Sequence, residues 1–296
     1  MTLQIGAIFP TTEIGNDPIA IRDWAQTAEQ LGYRHMVTYD HVLGAEHADR
    51  EPRLMGPYTE KDPFHEPMVL YGYLSGVTES LELCTGVLIL PQRQTALVAK
   101  QAVQIDMLSG GRLRLGVGTG WNWVEYDSLN EPFETRGKRF DEQVEVLRKL
   151  WREPVVDYRG EYHRIERAGL LPRPGQDIPL WFGALSEVAV RRAARVGDGV
   201  IFGTKPSRVK RLSDKLREYV DAAGRSQAEV GAEAVVDFSE PETWQQEIEL
   251  WQEAGGTHLS LRAMDTGSAL VGVKHVGYNG PADYIRALET FKKEIG

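Results

Sequence analysis

Short apolar runs alternate with amphipathic stretches along the whole chain. The run from Leu81 to Leu90 is rich in leucine, valine and isoleucine, as expected of a strand that is covered on both faces. Apolar residues then recur at helical spacing in a segment that Thr95 can cap and that Gly110 can end, before a second strand begins at Arg112. This order of strand, helix and strand is typical of parallel sheets.

The same alternation predicts eight strand and helix pairs. The predicted strands span residues 3–9, 33–39, 81–90, 112–117, 178–182, 199–202, 232–238 and 259–264. The predicted helices begin at or include Pro18 (capped by Asp17), Pro67 (67–79), Thr95, Phe140, Ser186, Pro206, Trp244 and Pro281. Eight such pairs in 296 residues favour an α/β fold of the (β/α)8 TIM barrel type over a doubly wound sheet, because closure leaves no edge strand. We expect one domain, residues 1–296, with loop insertions.

Three connections are longer than usual and are expected to carry these insertions. They are residues 41–66, 153–177 and 265–280. The first and third follow strands, so they are predicted to border the catalytic face of the barrel, and the first is predicted to act as a lid. The second contains a hairpin-like segment around Gly160.

Composition and charge narrow the range of functions. The net charge of −9 argues against a nucleic-acid partner, which requires a basic surface. No apolar segment is long enough to cross a bilayer, and the amino terminus does not resemble a secretory signal, so a cytoplasmic location is expected. The single cysteine, Cys84, excludes an intrachain disulfide and is predicted to be a buried core side chain.

Polar residues follow the second predicted strand, where TIM barrels place catalytic groups. Asp40 and His41 stand at this strand end. His41 is a candidate for proton transfer, and the alternative is that Asp40 caps the next turn while His41 is only a polar residue at a strand end. The seven histidines of the chain form no HxH or HExxH pair, so no metal site is predicted.

Two glycine-containing strand ends are candidates for binding a ligand. The segment Gly116–Trp121 lacks the last glycine of the GxGxxG pattern, so a dinucleotide fold is not favoured, but its backbone could approach a planar ligand or a phosphate. The segment Gly183–Ser186 precedes a predicted helix, whose free N–H groups suit a phosphate. The alternative is that Ser186 is simply the helix cap.

With these motifs, the chain resembles the bacterial luciferase-like family of flavin and deazaflavin oxidoreductases. The resemblance covers nearly the whole chain and is most specific in residues 66–70, 85–93, 99–121, 136–151 and 191–199. Within the family, the chain is most similar to the branch predicted to use the deazaflavin coenzyme F420.

The resemblance implies a TIM barrel that holds the cofactor ring at the carboxyl ends of its strands. Asp40 and His41 match the family's residues near the ring, and Gly86-Val87 matches a non-prolyl cis peptide bond that bulges beneath it. The cofactor-binding residues implied are Asp40, Gly86, Val87, Leu88, Thr119, Gly120, Gly183, Ala184, Leu185, Ser186 and Gly203. The family resemblance also suggests a homodimer.

The chain departs from family members that oxidise glucose 6-phosphate. Ala45 and Trp121 stand where those members have a tryptophan and a glutamate, so sugar phosphate oxidation is not favoured. The resulting hypothesis is hydride transfer between coenzyme F420 and an unidentified small organic substrate, with His41, oriented by Asp40, as the catalytic residue. The alternatives are an FMN-dependent monooxygenase and a barrel that binds a flavin without catalysis.

Overall fold

The structure, a computed structural model, describes residues 2–296 and forms a closed parallel barrel surrounded by helices. The strands are β1 (Gln4–Ile8), β2 (His35–Thr38), β3 (Glu82–Thr85), β4 (Leu88–Ile89), β5 (Leu113–Gly118), β6 (Val156–Arg159), β7 (Arg164–Ala168), β8 (Leu180–Gly183), β9 (Gly199–Ile201), β10 (Gly231–Asp237) and β11 (His258–Arg262). Strands β3 and β4 together form one staggered member of the barrel, and the pairing of β3 with β5 closes it. The predicted (β/α)8 TIM barrel is confirmed.

The helices cover the outside of the barrel. They are α1 (Pro18–Gln30), α2 (Pro67–Ser75), α3 (Thr95–Leu108), α4 (Trp123–Ser128), α5 (Arg136–Arg152), α6 (Glu187–Val196), α7 (Pro206–Ala222), α8 (Trp244–Glu253), α9 (Ser268–Val271) and α10 (Pro281–Ile295). Within residues 2–296, no helix is long and apolar enough to span a membrane.

Helix starts follow the sequence pattern, with one correction. Asp17 caps α1 as predicted, because its Oδ1 accepts a hydrogen bond of 2.9 Å from the N–H of Ile19. Thr95, predicted as a cap, is instead the first residue of α3. Its hydroxyl accepts a hydrogen bond of 3.0 Å from Gln143, so it joins α3 to α5.

Helix α2 is shorter than the sequence predicts. It ends at Ser75 and not at Glu79. The backbone N–H of Glu79 instead donates a 2.9 Å hydrogen bond to the carboxylate of Glu29. The same carboxylate also accepts hydrogen bonds from other N–H groups in the turn that leads into β3. Hydrogen bonds to a side chain on α1 therefore take the place of the backbone hydrogen bonds of a further turn of α2.

The longest insertions lie where the sequence places them. Strands β6 and β7 form the predicted antiparallel hairpin within residues 153–177. The hairpin is held to α5, since Glu142 accepts hydrogen bonds from the N–H groups of Glu161 and Tyr162. Its residue His163 also contacts the start of α3, where Nε2 lies 2.6 Å from the hydroxyl of Thr95.

The interior of the barrel is packed with side chains. Its apolar residues form a cluster that includes Cys84, which is fully buried as predicted. Burial raises the pKa of the Cys84 thiol well above its usual range. At the amino ends of the strands the apolar cluster gives way to an ionic layer around Arg114.

Candidate active site

A cavity of about 500 Å³ opens at the carboxyl ends of the strands. The first and third long loops supply part of its wall, through Tyr58 and Thr266 among others, which confirms that they border this face. His41 and most of the predicted cofactor-binding residues line it: Asp40, Gly86, Val87, Thr119, Gly120, Gly183, Ala184, Leu185, Ser186 and Gly203.

Leu88 is the exception among the predicted cofactor-binding residues. Its side chain is fully buried in the core between barrel and helices and does not line the cavity, whereas its neighbours Val87 and Ile89 do. The correction follows from strand geometry, because successive side chains point to opposite faces. Ile89 was missed for the same reason.

The floor of the cavity is a bulge between β3 and β4. The Gly86-Val87 peptide bond is cis, as the resemblance implies. A methyl group at Gly86 would lie 2.2 Å from a methyl carbon of Val37, and one at Gly118 would lie 2.4 Å from Val87. Both glycines are therefore required for close packing, which leaves the side chain of Val87 at the cavity surface.

Asp40 fixes this bulge and does not contact His41. Its Oδ2 accepts a 2.8 Å hydrogen bond from the N–H of Ile89, and its Oδ1 lies 2.7 Å from the guanidinium of Arg93. Burial raises the pKa of Asp40, and the charge of Arg93 opposes this rise. The expectation that Asp40 orients His41 is thus wrong, since adjacent side chains diverge at the end of a strand.

Glu125 holds His41 in place. Its Oε2 lies 3.1 Å from Nδ1 of His41, and its Oε1 accepts hydrogen bonds from the N–H groups of Val42 and Leu43. The Glu125 side chain is fully buried, and that of His41 is only 9% exposed. Since Nδ1 is occupied, Nε2 is the nitrogen of His41 that a ligand can reach.

The environment of Glu125 favours a carboxylate. Burial alone would raise its pKa, but the hydrogen bond and charge of His41 and the N–H groups of Val42 and Leu43 outweigh burial, so the pKa is lowered. An ionised Glu125 accepts a hydrogen bond from Nδ1–H of His41, and in that tautomer Nε2 is the acceptor nitrogen of the imidazole.

Glu125 is a residue that the sequence reasoning missed. It lies in α4, a short helix after β5 that the periodicity did not predict. A signal was present, because Asn122 caps α4 and is followed three residues later by a glutamate, as in a capping box. Trp121 stands where the members that oxidise glucose 6-phosphate have a glutamate, but Glu125 supplies an acid four residues later.

Aromatic rings enclose His41 on three sides. The rings of Tyr58, Phe64 and Trp121 lie with their centroids 5.3, 4.9 and 5.5 Å from the imidazole, all in edge-on arrangements. This part of the cavity therefore offers an apolar surface beside a single polar nitrogen.

Two cations in the cavity wall, Arg262 and Lys205, are paired with acids, whereas a third, Arg208, donates to the carbonyl oxygen of Val271. Arg262 lies 2.6 Å from Asp237, and Lys205 lies 3.0 Å from Glu240. Burial raises the pKa of the neighbouring Tyr39 to about 12, so this phenol stays neutral.

Small residues lie together at the start of α6. Ser186 is its cap and accepts a 3.4 Å hydrogen bond from the N–H of Ala189. Gly203, which follows β9, has a φ of +63°, and within residues 2–296 no neighbouring atom lies within 4 Å of a methyl group placed on it. The helix amino terminus therefore has open space in front of it, which suits an anion.

Comparisons with known proteins agree with this architecture. The family model described as luciferase-like monooxygenase matches residues 5–264. An uncharacterized protein of Mycobacterium tuberculosis is 35% identical over 207 residues, which cover 68% of this chain and 72% of the relative.

A relative with a named activity covers more of the chain. The F420-dependent glucose-6-phosphate dehydrogenase of Segniliparus rotundus is 30% identical over 261 residues, which cover 82% of this chain and 72% of the relative. Among solved structures, the monooxygenase RslO1 from Streptomyces bottropensis superposes with a TM-score of 0.78 at 17% identity, over 99% of this chain and 98% of that one.

Proposed function

The chain belongs to the luciferase-like monooxygenase family, and from this premise we propose that it is an oxidoreductase that transfers a hydride between coenzyme F420 and a small organic substrate. The observation that carries the proposal is the pairing of His41 with buried Glu125 beside the Gly86-Val87 bulge. A positioned proton acceptor thus lies beside a platform on which a flat ring fits.

The cavity fits a cofactor of this kind. Its volume of about 500 Å³ lies within the range of small-molecule and cofactor sites. We propose that the ring rests on Val87 and that the phosphate of its side chain lies before α6, near Ser186 and Gly203. Thr119 and Gly120 also line the cavity and would contact the chain that links the ring to the phosphate.

His41 and Glu125 would handle the proton of the reaction. The cofactor, when bound, supplies the hydride chemistry. Nε2 of His41 would accept a proton from a substrate hydroxyl group, or return it to a carbonyl oxygen in the reverse direction. Glu125 would keep the acceptor nitrogen pointing into the cavity and stabilise the imidazolium that forms.

The part of the cavity beside His41 favours an uncharged substrate. Tyr58 and Trp121 provide apolar surface beside His41, and the cations Arg262 and Lys205 are already paired with acids. A sugar phosphate bound at Arg262 or Lys205 would have to compete with those acids, so we propose a compact, mainly apolar alcohol or carbonyl compound.

Cofactor titration is the decisive experiment. Purified protein is titrated with coenzyme F420 and with FMN, and binding is followed through cofactor fluorescence. We expect saturable binding of coenzyme F420 and much weaker binding of FMN. Tight FMN binding without F420 binding would instead favour an FMN-dependent monooxygenase, and affinity for neither would favour a barrel that has lost its cofactor.

A variant of His41 tests the catalytic assignment. His41→Asn should bind coenzyme F420 as the wild type does but reduce it about 100 to 10,000 times more slowly with a panel of small alcohols. His65→Asn is the matched control, because His65 lies on the same loop and bonds to the carbonyl of Gly15, outside the cavity. An unchanged rate for His41→Asn would assign that residue to structure.

Three further expectations stay predictions. These are a homodimeric assembly, a cytoplasmic location and a single folding unit over residues 1–296. Size-exclusion chromatography with light scattering and the cooperativity of unfolding test the first and third.

A further inference from the structure

Three potential metal ligands meet at the end of the barrel opposite the cavity. They are His35, Glu82 and His258, the first residues of β2, β3 and β11. One potential ligand atom from each lies within 4.8 Å of the other two. The cluster is not apparent from the sequence, because its members lie far apart along the chain on three different strands.

We propose that this cluster binds one divalent transition-metal ion, with zinc the best match to its ligands. Two imidazoles and one carboxylate are a ligand set that zinc uses in proteins, with water in the fourth position. A carboxylate with two imidazoles is too poor in oxygen to suit calcium or magnesium.

Hydrogen bonds already fix one nitrogen of each histidine. Nε2 of His35 lies 3.1 Å from Glu233 and 3.0 Å from the hydroxyl of Ser260. Nδ1 of His258 lies 2.9 Å from the hydroxyl of Thr257. Metal-binding histidines show this arrangement, in which the nitrogen that does not bind the metal is held by an outer partner.

The second nitrogen of His35 is the independent sign of a missing ligand. The His35 side chain is 1% exposed, and its Nδ1 has no hydrogen-bond partner within residues 2–296. A buried polar atom without a partner is costly, so such atoms need an explanation. Coordination of a metal by Nδ1 would satisfy it.

The balance of charge around the cluster also favours a bound cation. Arg114 binds both Glu82 and Glu233 at 2.6 Å, so one guanidinium serves two carboxylates. Arg114 is held against the ring of Trp181, 4.3 Å from its centroid, and uses only Oε1 of Glu82. The other oxygen of Glu82 remains available to a metal ion.

An ion can reach the cluster from solvent. The side chain of Glu82 is 35% exposed at the amino end of the barrel, whereas His35 is buried behind it. The active-site cavity lies at the other end, so the metal would stabilise the barrel and take no part in the reaction.

Metal titration of the full chain tests the proposal. Protein treated with a chelator and then freed of it is titrated with Zn²⁺ by calorimetry and with Co²⁺ by visible absorption. We expect one ion per chain, the d–d bands of four-coordinate Co²⁺, and a higher melting temperature with Zn²⁺.

Glu82→Gln should weaken Zn²⁺ binding at least about tenfold, because it removes the only anionic ligand. It preserves a side-chain oxygen for Arg114, so the fold should survive, as circular dichroism will show. His275→Gln is the control and should bind normally, since His275 is 74% exposed and lies near Asp265.

A second variant tests whether Glu82→Gln weakens Zn²⁺ binding only indirectly, through a change elsewhere in the protein. His258→Gln should also weaken Zn²⁺ binding and abolish the Co²⁺ bands, while the affinity for coenzyme F420 stays unchanged. Less than one ion per chain, or wild-type Zn²⁺ affinity in both variants, would overturn the proposal. None of these readouts depends on turnover, so the proposed oxidoreductase activity can fail without affecting the result.

Discussion

The two ends of the barrel use the same kinds of residue for opposite purposes. At the amino end, where side chains fill the interior, Arg114 pairs with both Glu82 and Glu233. At the carboxyl end, Asp40 holds a bulge and Glu125 holds a histidine. Ionic groups stabilise packing at one end and orient a reactive surface at the other.

Glycines show the same contrast. A methyl group at Gly6 would lie 2.1 Å from the ring of His35, and methyl groups at Gly199 and Gly231 would both lie 2.4 Å from the ring of Trp181. These glycines admit large side chains of the protein itself. At the other end, the space in front of Gly203 is open. A glycine at a strand end thus indicates close approach, but only the fold shows whether a side chain or a ligand approaches.

The largest effect is expected at the filled end. Glu233→Gln should lower the free energy of unfolding by about 3 kcal/mol, because it leaves buried Arg114 with one anionic partner. Urea unfolding in the presence of a chelator measures the change. The exposed pair Lys210 and Asp214 provides the control, since Asp214→Asn should cost less than about 1 kcal/mol. If both variants lost the same free energy of unfolding, burial of the charge would not explain the effect of Glu233→Gln.

The next largest effect is expected at the open end and concerns the rate. Glu125→Gln should lower kcat about 100-fold through misplacement of His41, with little change in the affinity for coenzyme F420. Steady-state kinetics and cofactor titration separate the two quantities.

Glu142→Gln is a close control for this variant. Glu142 lies 2.7 Å from Nδ1 of His163 and accepts hydrogen bonds from two backbone N–H groups. It therefore makes the same kinds of contact as Glu125 but does not line the cavity. It should leave kcat unchanged. A similar loss in both variants would point to a general structural defect.

The strand pattern predicted the barrel because burial and alternation are local properties of the sequence. It also placed Asp40 and His41 at a strand end, where they are found. It did not predict the partners of these residues. Glu125 binds His41 across 84 positions of the chain, and Arg93 binds Asp40 across 53, so both contacts depend on closure of the barrel.

Side-chain direction limited the prediction in a second way. Leu88 and Ile89 are similarly apolar, yet the side chain of Leu88 packs in the core, whereas Ile89 lines the cavity. The break at Gly86-Val87 resets the alternation after β3, so the direction could not be counted along one continuous strand.

A smaller effect is expected at the helix that faces the open end. Ser186→Ala should weaken binding of coenzyme F420 about tenfold, if its hydroxyl also donates to the phosphate, and lower the free energy of unfolding by about 1 kcal/mol. Asp17→Ala removes a comparable cap from α1 and should cause only the loss of stability. Equal cofactor affinities in the two variants would place the phosphate elsewhere.

The smallest effect is the loss of stability that acid causes by protonating Glu125. It involves one carboxylate and is absent at neutral pH. The pKa of Glu125 is lowered in the fold: burial works against this, but His41 and the N–H groups of Val42 and Leu43 prevail. Its ionised form therefore stabilises the protein fully above its ordinary pKa of 4.5 and stops doing so as the pH falls through the folded value. The free energy of unfolding of wild type minus that of Glu125→Gln should stay constant from neutral pH down to about 4.5, shrink between 4.5 and the folded pKa, and then level off. A difference that grows in acid would mean that the carboxyl group is protonated in the fold, and His41 would then lack its anionic partner.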